Sequence, residues 1–289
     1  MRRTHRQTQA ELGMLLVAFI WGITFVLVKN ALADIGPYLF LGVRFILAFI
    51  ILAVISNDTI KMLTLPTLRD GAWLGFFLLI GYGFQTVGLQ YTTAANAGFI
   101  TGLSVVLVPL LYAALNRTLP TTATMGTVIL AAAGLYLLSV PAGSFQLAYG
   151  DLLVLVCACA FACHIVFVDR LSHQHHSSAI TGVQILFVGI VCLLLGLLYE
   201  PFPAVWTKNA LVAIFITAVF ATTLAFLLQN SLQHYSTPTR IAIILTAEPV
   251  FAAMAGYLWA GETFDLRSII GAGLILLAML LSVLTQRHR

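Results

Sequence analysis

Polar positions are rare along this chain, and most of them gather in short clusters between long apolar runs. An α-helix needs about 20 apolar residues to cross the hydrocarbon core of a bilayer. Ten such runs can be drawn, at about 12–32, 37–56, 71–91, 95–115, 123–140, 150–168, 179–198, 209–230, 239–260 and 268–285. The connections between them are short, so no extramembrane domain is left to house separate chemistry. The pattern predicts an all-α membrane protein of ten transmembrane helices. "MRRTHRQ" before the first run and "ALAD" at 31–34 resemble a secretory signal with a cleavage site. The run is longer than a signal's apolar region and Lys29 separates it from that site, so the first helix is expected to be retained.

Composition gives the same picture. The chain is 61% hydrophobic and only 8% charged, with a mean hydropathy of +1.02, whereas soluble domains carry about 25% charged residues. The net charge of +4 could point to nucleic acid, but the basic residues form no stripe or patch, and no nucleic-acid partner is expected. They lie between apolar runs, where Lys and Arg set topology. With the N-terminus inside, Arg2, Arg3, Arg6, Lys61, Arg69, Arg117, Arg170, Arg240, Arg287 and Arg289 fall on the cytoplasmic side, and only Lys29, Lys208 and Arg267 outside. Both termini are therefore expected to be cytoplasmic. Cys157, Cys159, Cys163 and Cys192 all sit in apolar runs, where cysteine acts as a small hydrophobe and no disulfide is implied.

The two halves resemble each other. "WGITFVLVKNAL" (21–32) aligns with "FACHIVFVDRLS" (161–172), a shift of 140. "GLQYTTAANAG" (88–98) echoes "SLQHYSTPTRIA" (231–242), and "MGTVILAAAGLYLL" (125–138) echoes "IGAGLILLAMLLSV" (270–283). Five helices per half is an odd number, so the second half enters the membrane upside down. Inverted repeats of this kind place a substrate site near the midplane. Of nine prolines only Pro109 and Pro249 lie inside spans, and they too are 140 residues apart. A paired break in corresponding helices marks a hinge or site, although membrane helices also tolerate single prolines.

These residues carry a family likeness. Over about residues 11–285 the chain resembles the drug/metabolite transporter superfamily, in its ten-helix branch of EamA-like permeases. The likeness rests on "FIWGITF" (19–25), on the arginine of "PYLFLGVRFILA" (37–48), and on "EPVFAAMAGYLWAGETFDLRSIIGAGLIL" (248–276). In place of an acidic residue corresponding to Glu262, the first half reads "NRTLPTT" (116–122). The resemblance implies a cytoplasmic tail at 1–11, one five-helix repeat at 12–140, a second at 150–285 and a tail at 286–289. It implies a multi-pass protein of the bacterial inner membrane that moves amino acids, other metabolites or drugs, mostly outward.

Among ionisable groups only Arg44 and Glu248 lie deep in a span, with His164 the one histidine inside a span. Each charge there costs roughly 3 kcal/mol on insertion scales, and such groups face the bundle interior or water. Glu248 is either a site carboxylate that binds a cationic group or carries a proton, or a structural one bonded to backbone freed by Pro249. Arg44 reads as a structural ion pair or snorkelling cation, and His164 as a satisfied core histidine. Trp21, Thr24, Tyr82, Gln85, Thr86, Asn96, Thr101, Ser104, Thr222, Thr223, Gln229 and Asn230 complete the candidate lining. Singly, each is a candidate interhelical hydrogen bond. Together they make an amphipathic cavity, with Glu248, Trp21, Thr24, Tyr82, Gln85, Thr101, Ser104 and Thr222 as substrate-binding residues and Pro109 and Pro249 as hinges.

Enzyme chemistry finds no footing. There is no H-E-x-x-H, no aspartate-rich diphosphate motif, and no second glycine in "GLSV" (102–105) for an intramembrane serine protease. "HQHH" (173–176) reads as a solvated loop rather than a metal site, and no cofactor is expected. The expected function is a secondary transporter that exports a small metabolite such as an amino acid by alternating access between the two repeats, with protons a candidate coupling ion. The alternatives are a multidrug or quaternary-cation effluxer, with Glu248 and aromatic faces as its cation site, and a channel, for which no filter-like loop or charged ring is visible.

Overall fold

Proline and threonine mark where helices begin. Pro37, Pro66 and Pro238 occupy first turns, where a missing N–H costs nothing. The hydroxyls of Thr64, Thr121, Thr207 and Thr237 each accept from the backbone N–H three residues on, the usual N-cap bond. The structure, a computed structural model, describes residues 2–92, 94–140, 148–203, 205–260 and 265–285. Glu262, Pro141, Arg287 and Arg289 lie outside the described residues, as does the side chain of Asn96.

Among the described residues there are helices and no strands. The α-helices are α1 (Arg2–Ala31), α2 (Pro37–Ile55), α3 (Asp58–Lys61), α4 (Leu65–Gly88), α5 (Ala94–Gly102), α6 (Ser104–Asn116) and α7 (Thr122–Ser139). They continue as α8 (Tyr149–Leu171), α9 (Ser177–Tyr199), α10 (Lys208–Ile216), α11 (Ala225–Leu232), α12 (Pro238–Leu245), α13 (Glu248–Ala260) and α14 (Leu266–Thr285). A π-helical stretch, Thr217–Leu224, joins α10 to α11. Among the described residues eight helical segments are long and apolar enough to cross a bilayer, and two shorter apolar ones, Thr122–Leu138 and Leu266–Ser282, fall within or beside the fifth and tenth predicted spans. Large apolar side chains such as Ile50, Leu155, Ile190, Phe215 and Leu280 are exposed on the outer faces. A lipid environment makes that exposure favourable.

The expected N-terminal tail is helical, because α1 starts at Arg2. Glu11 on its early turns pairs with buried Arg240 at the start of α12, and Arg240 Nη2 also donates to the Ser282 carbonyl at 3.0 Å. The packing interleaves the two halves. α2 lies against α9, α7 against α14, α4 against α8 and α9, and α1 against α12 and α13 as well as α10 and α11. A Cβ on Gly134 of α7 would meet the Gly271 carbonyl of α14 at 2.7 Å, so this pair touches backbone to backbone.

Two hydrogen-bonded seams close opposite ends of the bundle. At the end holding the N-terminus, His175 in the α8–α9 connection bonds Asp70 at 2.9 Å and Thr67 at 3.2 Å, both on α4. At the other end the Thr207 hydroxyl, just before α10, donates to Asp34 in the α1–α2 connection at 2.6 Å. Thr67 and Thr207 are 140 residues apart.

Candidate functional site

Two of the apolar runs are broken at mid-length. The run that begins at Pro238 stops at Leu245, and α13 restarts at Glu248. Pro249 has no N–H to give the Leu245 carbonyl, and the turn tightens: Thr246 N–H donates to Ile243 and Ala247 N–H to Ile244, each three residues back. Glu248 therefore opens a helix, where a negative charge meets the positive end of the backbone dipole. In the other run, α5 ends at Gly102 and α6 begins at Ser104, with Pro109 inside α6. This break lies at Leu103, six residues ahead of Pro109.

Between these breaks is a cavity lined from both halves of the chain. Trp21 and Thr24 come from α1, Arg44 from α2, Tyr82, Gln85 and Thr86 from α4, and Thr101 and Ser104 from the first broken run. The second half gives Phe161 and His164 from α8, Phe226 and Gln229 from α11, and Thr246, Glu248 and Pro249 from the second broken run. About 80 Å³ is open to the centres of water molecules, room for several waters or one small solute. Gly22 brings α1 close enough to form this wall, since a Cβ there would meet the Glu248 carbonyl oxygen at 2.5 Å.

The polar groups fall into two kinds. Some are held by local bonds: Thr24 Oγ1 donates to the Ile20 carbonyl at 2.8 Å, Gln85 Nε2 to Thr101 Oγ1 at 3.1 Å, and His164 Nε2 lies 2.9 Å from Gln184 Oε1. Trp21 Nε1 donates to the Ala221 carbonyl at 2.8 Å, and Arg44 Nε to Thr222 Oγ1 at 2.8 Å. Both acceptors belong to the π-helical stretch, whose wider turn sends the Ala225 N–H back to the Phe220 carbonyl. Such stretches concentrate at functional sites. Other groups remain without partners. The Glu248 carboxylate has no hydrogen bond or ion pair among the described residues, which leaves the backbone-bonded alternative for it unsupported. Gln229 Oε1 is likewise unpartnered.

Seven of the eight residues singled out in the sequence line the cavity, together with Pro249. The eighth, Thr222, is wholly buried and holds Arg44. Pro109 is buried within α6 and is not on the wall. Arg44, expected in an ion pair or snorkelling, does neither: it is 3% exposed, lines the cavity and has no acidic partner among the described residues. Tyr82 packs edge-on against Phe45 and Phe161, at centroid distances of 5.2 and 5.3 Å. Phe161 and Phe226 escaped the sequence reading because an aromatic residue inside an apolar run is unremarkable by itself. "HQHH" is no solvated loop throughout, because His175 is held by Asp70 and Thr67. Among the described residues no group of three or more His, Cys, Asp or Glu could hold a metal, and all four cysteines are free.

The EamA-like transporter family matches residues 8–140 and, a second time, 148–284. An uncharacterized transporter of Archaeoglobus fulgidus is 35% identical over 282 residues, covering 96% of this chain and 86% of that protein. The uncharacterized transporter YoaV of Bacillus subtilis is 26% identical over 96% of this chain and 98% of its own length. A protein of Chlamydia trachomatis named as an S-adenosylmethionine/S-adenosylhomocysteine transporter is 24% identical over 91% of this chain and 85% of its own. One crystal structure superposes over 97% of this chain and 98% of its own with a TM-score of 0.82, at 19% identity, a likeness of fold alone. These named relatives are transporters, not enzymes.

Proposed function

This multi-pass membrane protein belongs to the EamA-like transporter family, and from that premise we propose that it is a secondary transporter in the bacterial inner membrane. It carries a small metabolite such as an amino acid outward, by alternating access between two inverted five-helix repeats. The observation that carries this is a cavity walled by both halves, with a carboxylate that has no partner among the described residues where one helix breaks. Two further observations support it. The family matches the chain twice, at 8–140 and 148–284. The packing also pairs up under a swap of halves: α4 against α8 has its counterpart in α10 and α11 against α1, and α1 against α12 and α13 in α8 against α5 and α6. An inverted repeat requires both termini on one side, and the excess of Lys and Arg makes that side the cytoplasm.

The aromatic walls and the free carboxylate also suit a quaternary cation, which keeps a multidrug effluxer as the second reading. Arg44 in the same wall opposes it, since a guanidinium repels a lone cation. The test is counterflow in proteoliposomes loaded with the standard amino acids and offered labelled members one at a time. Carrier function requires saturable uptake with a transient overshoot, weakened in Tyr82→Ala and Gln85→Ala. Uptake linear in concentration, with no overshoot, would mean a channel.

A further inference from the structure

The cavity holds two opposite charges that do not meet. Among the described residues Arg44 is bonded only to neutral groups: Thr222 Oγ1 at 2.8 Å and the Ala221 carbonyl at 3.5 Å. Its guanidinium lies 5.2 Å from the Tyr82 ring centroid and 5.3 Å from that of Phe45. Aromatic faces and a hydroxyl orient the cation but leave its charge uncompensated, and a guanidinium offers five N–H donors in a fork that matches an oxyanion. Glu248 is the mirror case, a carboxylate without an ion pair or hydrogen bond among the described residues. Both line the same cavity, yet no ion pair joins them.

A buried pair of opposite charges would gain most by closing on each other, because the low-dielectric interior strengthens the attraction. Here each is held where it stands. Thr222 and the Ala221 carbonyl anchor Arg44 to the π-helical stretch, and Glu248 is carried at the start of α13, whose backbone abuts Gly22 of α1. Two fixed, separated, uncompensated poles complement a solute that carries both charges itself. They discriminate against a solute with only one, which would leave the other pole buried and unpaired.

We propose that Arg44 and Glu248 are the two poles of a receptor for a dipolar substrate, with Arg44 binding its oxyanion and Glu248 its cationic nitrogen. This rests on the transporter reading of the same cavity and adds the charge class of the cargo. It assigns Arg44 to substrate recognition and Thr222 to positioning that arginine, and it sets aside lone organic cations as cargo.

The test uses the purified full chain and a matched set of solutes: each standard amino acid beside the amine lacking its carboxylate and the acid lacking its amine. Thermal stabilisation reads binding, because a ligand bound to the folded state alone raises its melting temperature. At least one amino acid is expected to stabilise the wild type while its amine and its acid at equal concentration do not. Arg44→Gln should weaken that amino acid roughly tenfold or more, the scale of one lost charge-assisted contact, down to the level of its amine, so that the carboxylate no longer adds affinity. Glu248→Gln should bring it down to the level of its acid, and Arg44→Lys should recover part of the affinity. A merely structural arginine would weaken every solute alike, whatever the melting temperature of the unliganded variant. The proposal is overturned if the wild type binds the amines as well as the amino acids, if Arg44→Gln does not change the ranking, or if no amino acid binds. An amine carried saturably would sink the dipolar site and leave transport standing. A folded protein that carries no solute at all would sink the transport reading itself.

Discussion

A glutamate followed by a proline in the middle of an apolar run is tolerated here for reasons visible at each residue. Pro249 falls in the first turn of α13, where no N–H is needed, and Glu248 takes the helix start, where negative charge is favoured. Its side chain lines the amphipathic cavity instead of meeting lipid. Glu248→Gln removes the charge and keeps the shape, so melting temperature should hold while saturable transport falls and loses its dependence on pH. Loss of folded protein in that variant would make the carboxylate structural. Polar lining residues were legible in the sequence because a Gln or Thr in an apolar run stands out. Phe161 and Phe226 were not, since their type is the local default, and neither was the way Thr222 serves the cavity through Arg44. The partner of an arginine is a tertiary fact, and the sequence supplied no acidic residue near it to suggest one.

Among the elements, the second broken run could be read from its proline and the first could not. Pro249 sits two residues past the turn at Thr246 and Ala247, whereas the break at Leu103 lies in a stretch of small residues ahead of Pro109. The π-helical stretch has no sequence signature at all: "TAVFATTL" contains neither proline nor glycine, and its wider turn is coupled to Trp21 and Arg44. On the proposed mechanism, breaks at the cavity would let the half-helices tilt separately. Pro249→Ala returns an N–H to the Leu245 carbonyl and should extend α13 backwards. The variant is expected to be more stable than wild type, by less than the about 3 kcal/mol that separates alanine from proline in a helix interior, and to turn over more slowly with little change in binding. Unaltered turnover measured by counterflow would remove the hinge.

For the whole molecule, hydropathy alone gave the all-helical membrane class, because nothing but a bilayer suits so few charges. The order of the spans followed from the polar breaks, with edges off by six to ten residues where α4 and α1 begin ahead of the apolar window. The seams joining His175 to Asp70 and Thr207 to Asp34 were beyond reach, since they join connections far apart in the chain. A reporter fused after Arg289 should read cytoplasmic and one in the 201–208 connection external; a C-terminus outside would dismantle the inverted repeat. Alternating access makes a sharper demand: the two seams must never be open together. Double electron–electron resonance between spin labels at exposed Leu65 and His173 reports the seam at the end holding the N-terminus, and labels at exposed Ala33 and Val205 report the opposite seam. Conditions that lengthen one distance should shorten or hold the other, each distribution carrying a short and a long component. Two seams that lengthen together would make this protein a channel, and the account of its cavity would fail with it.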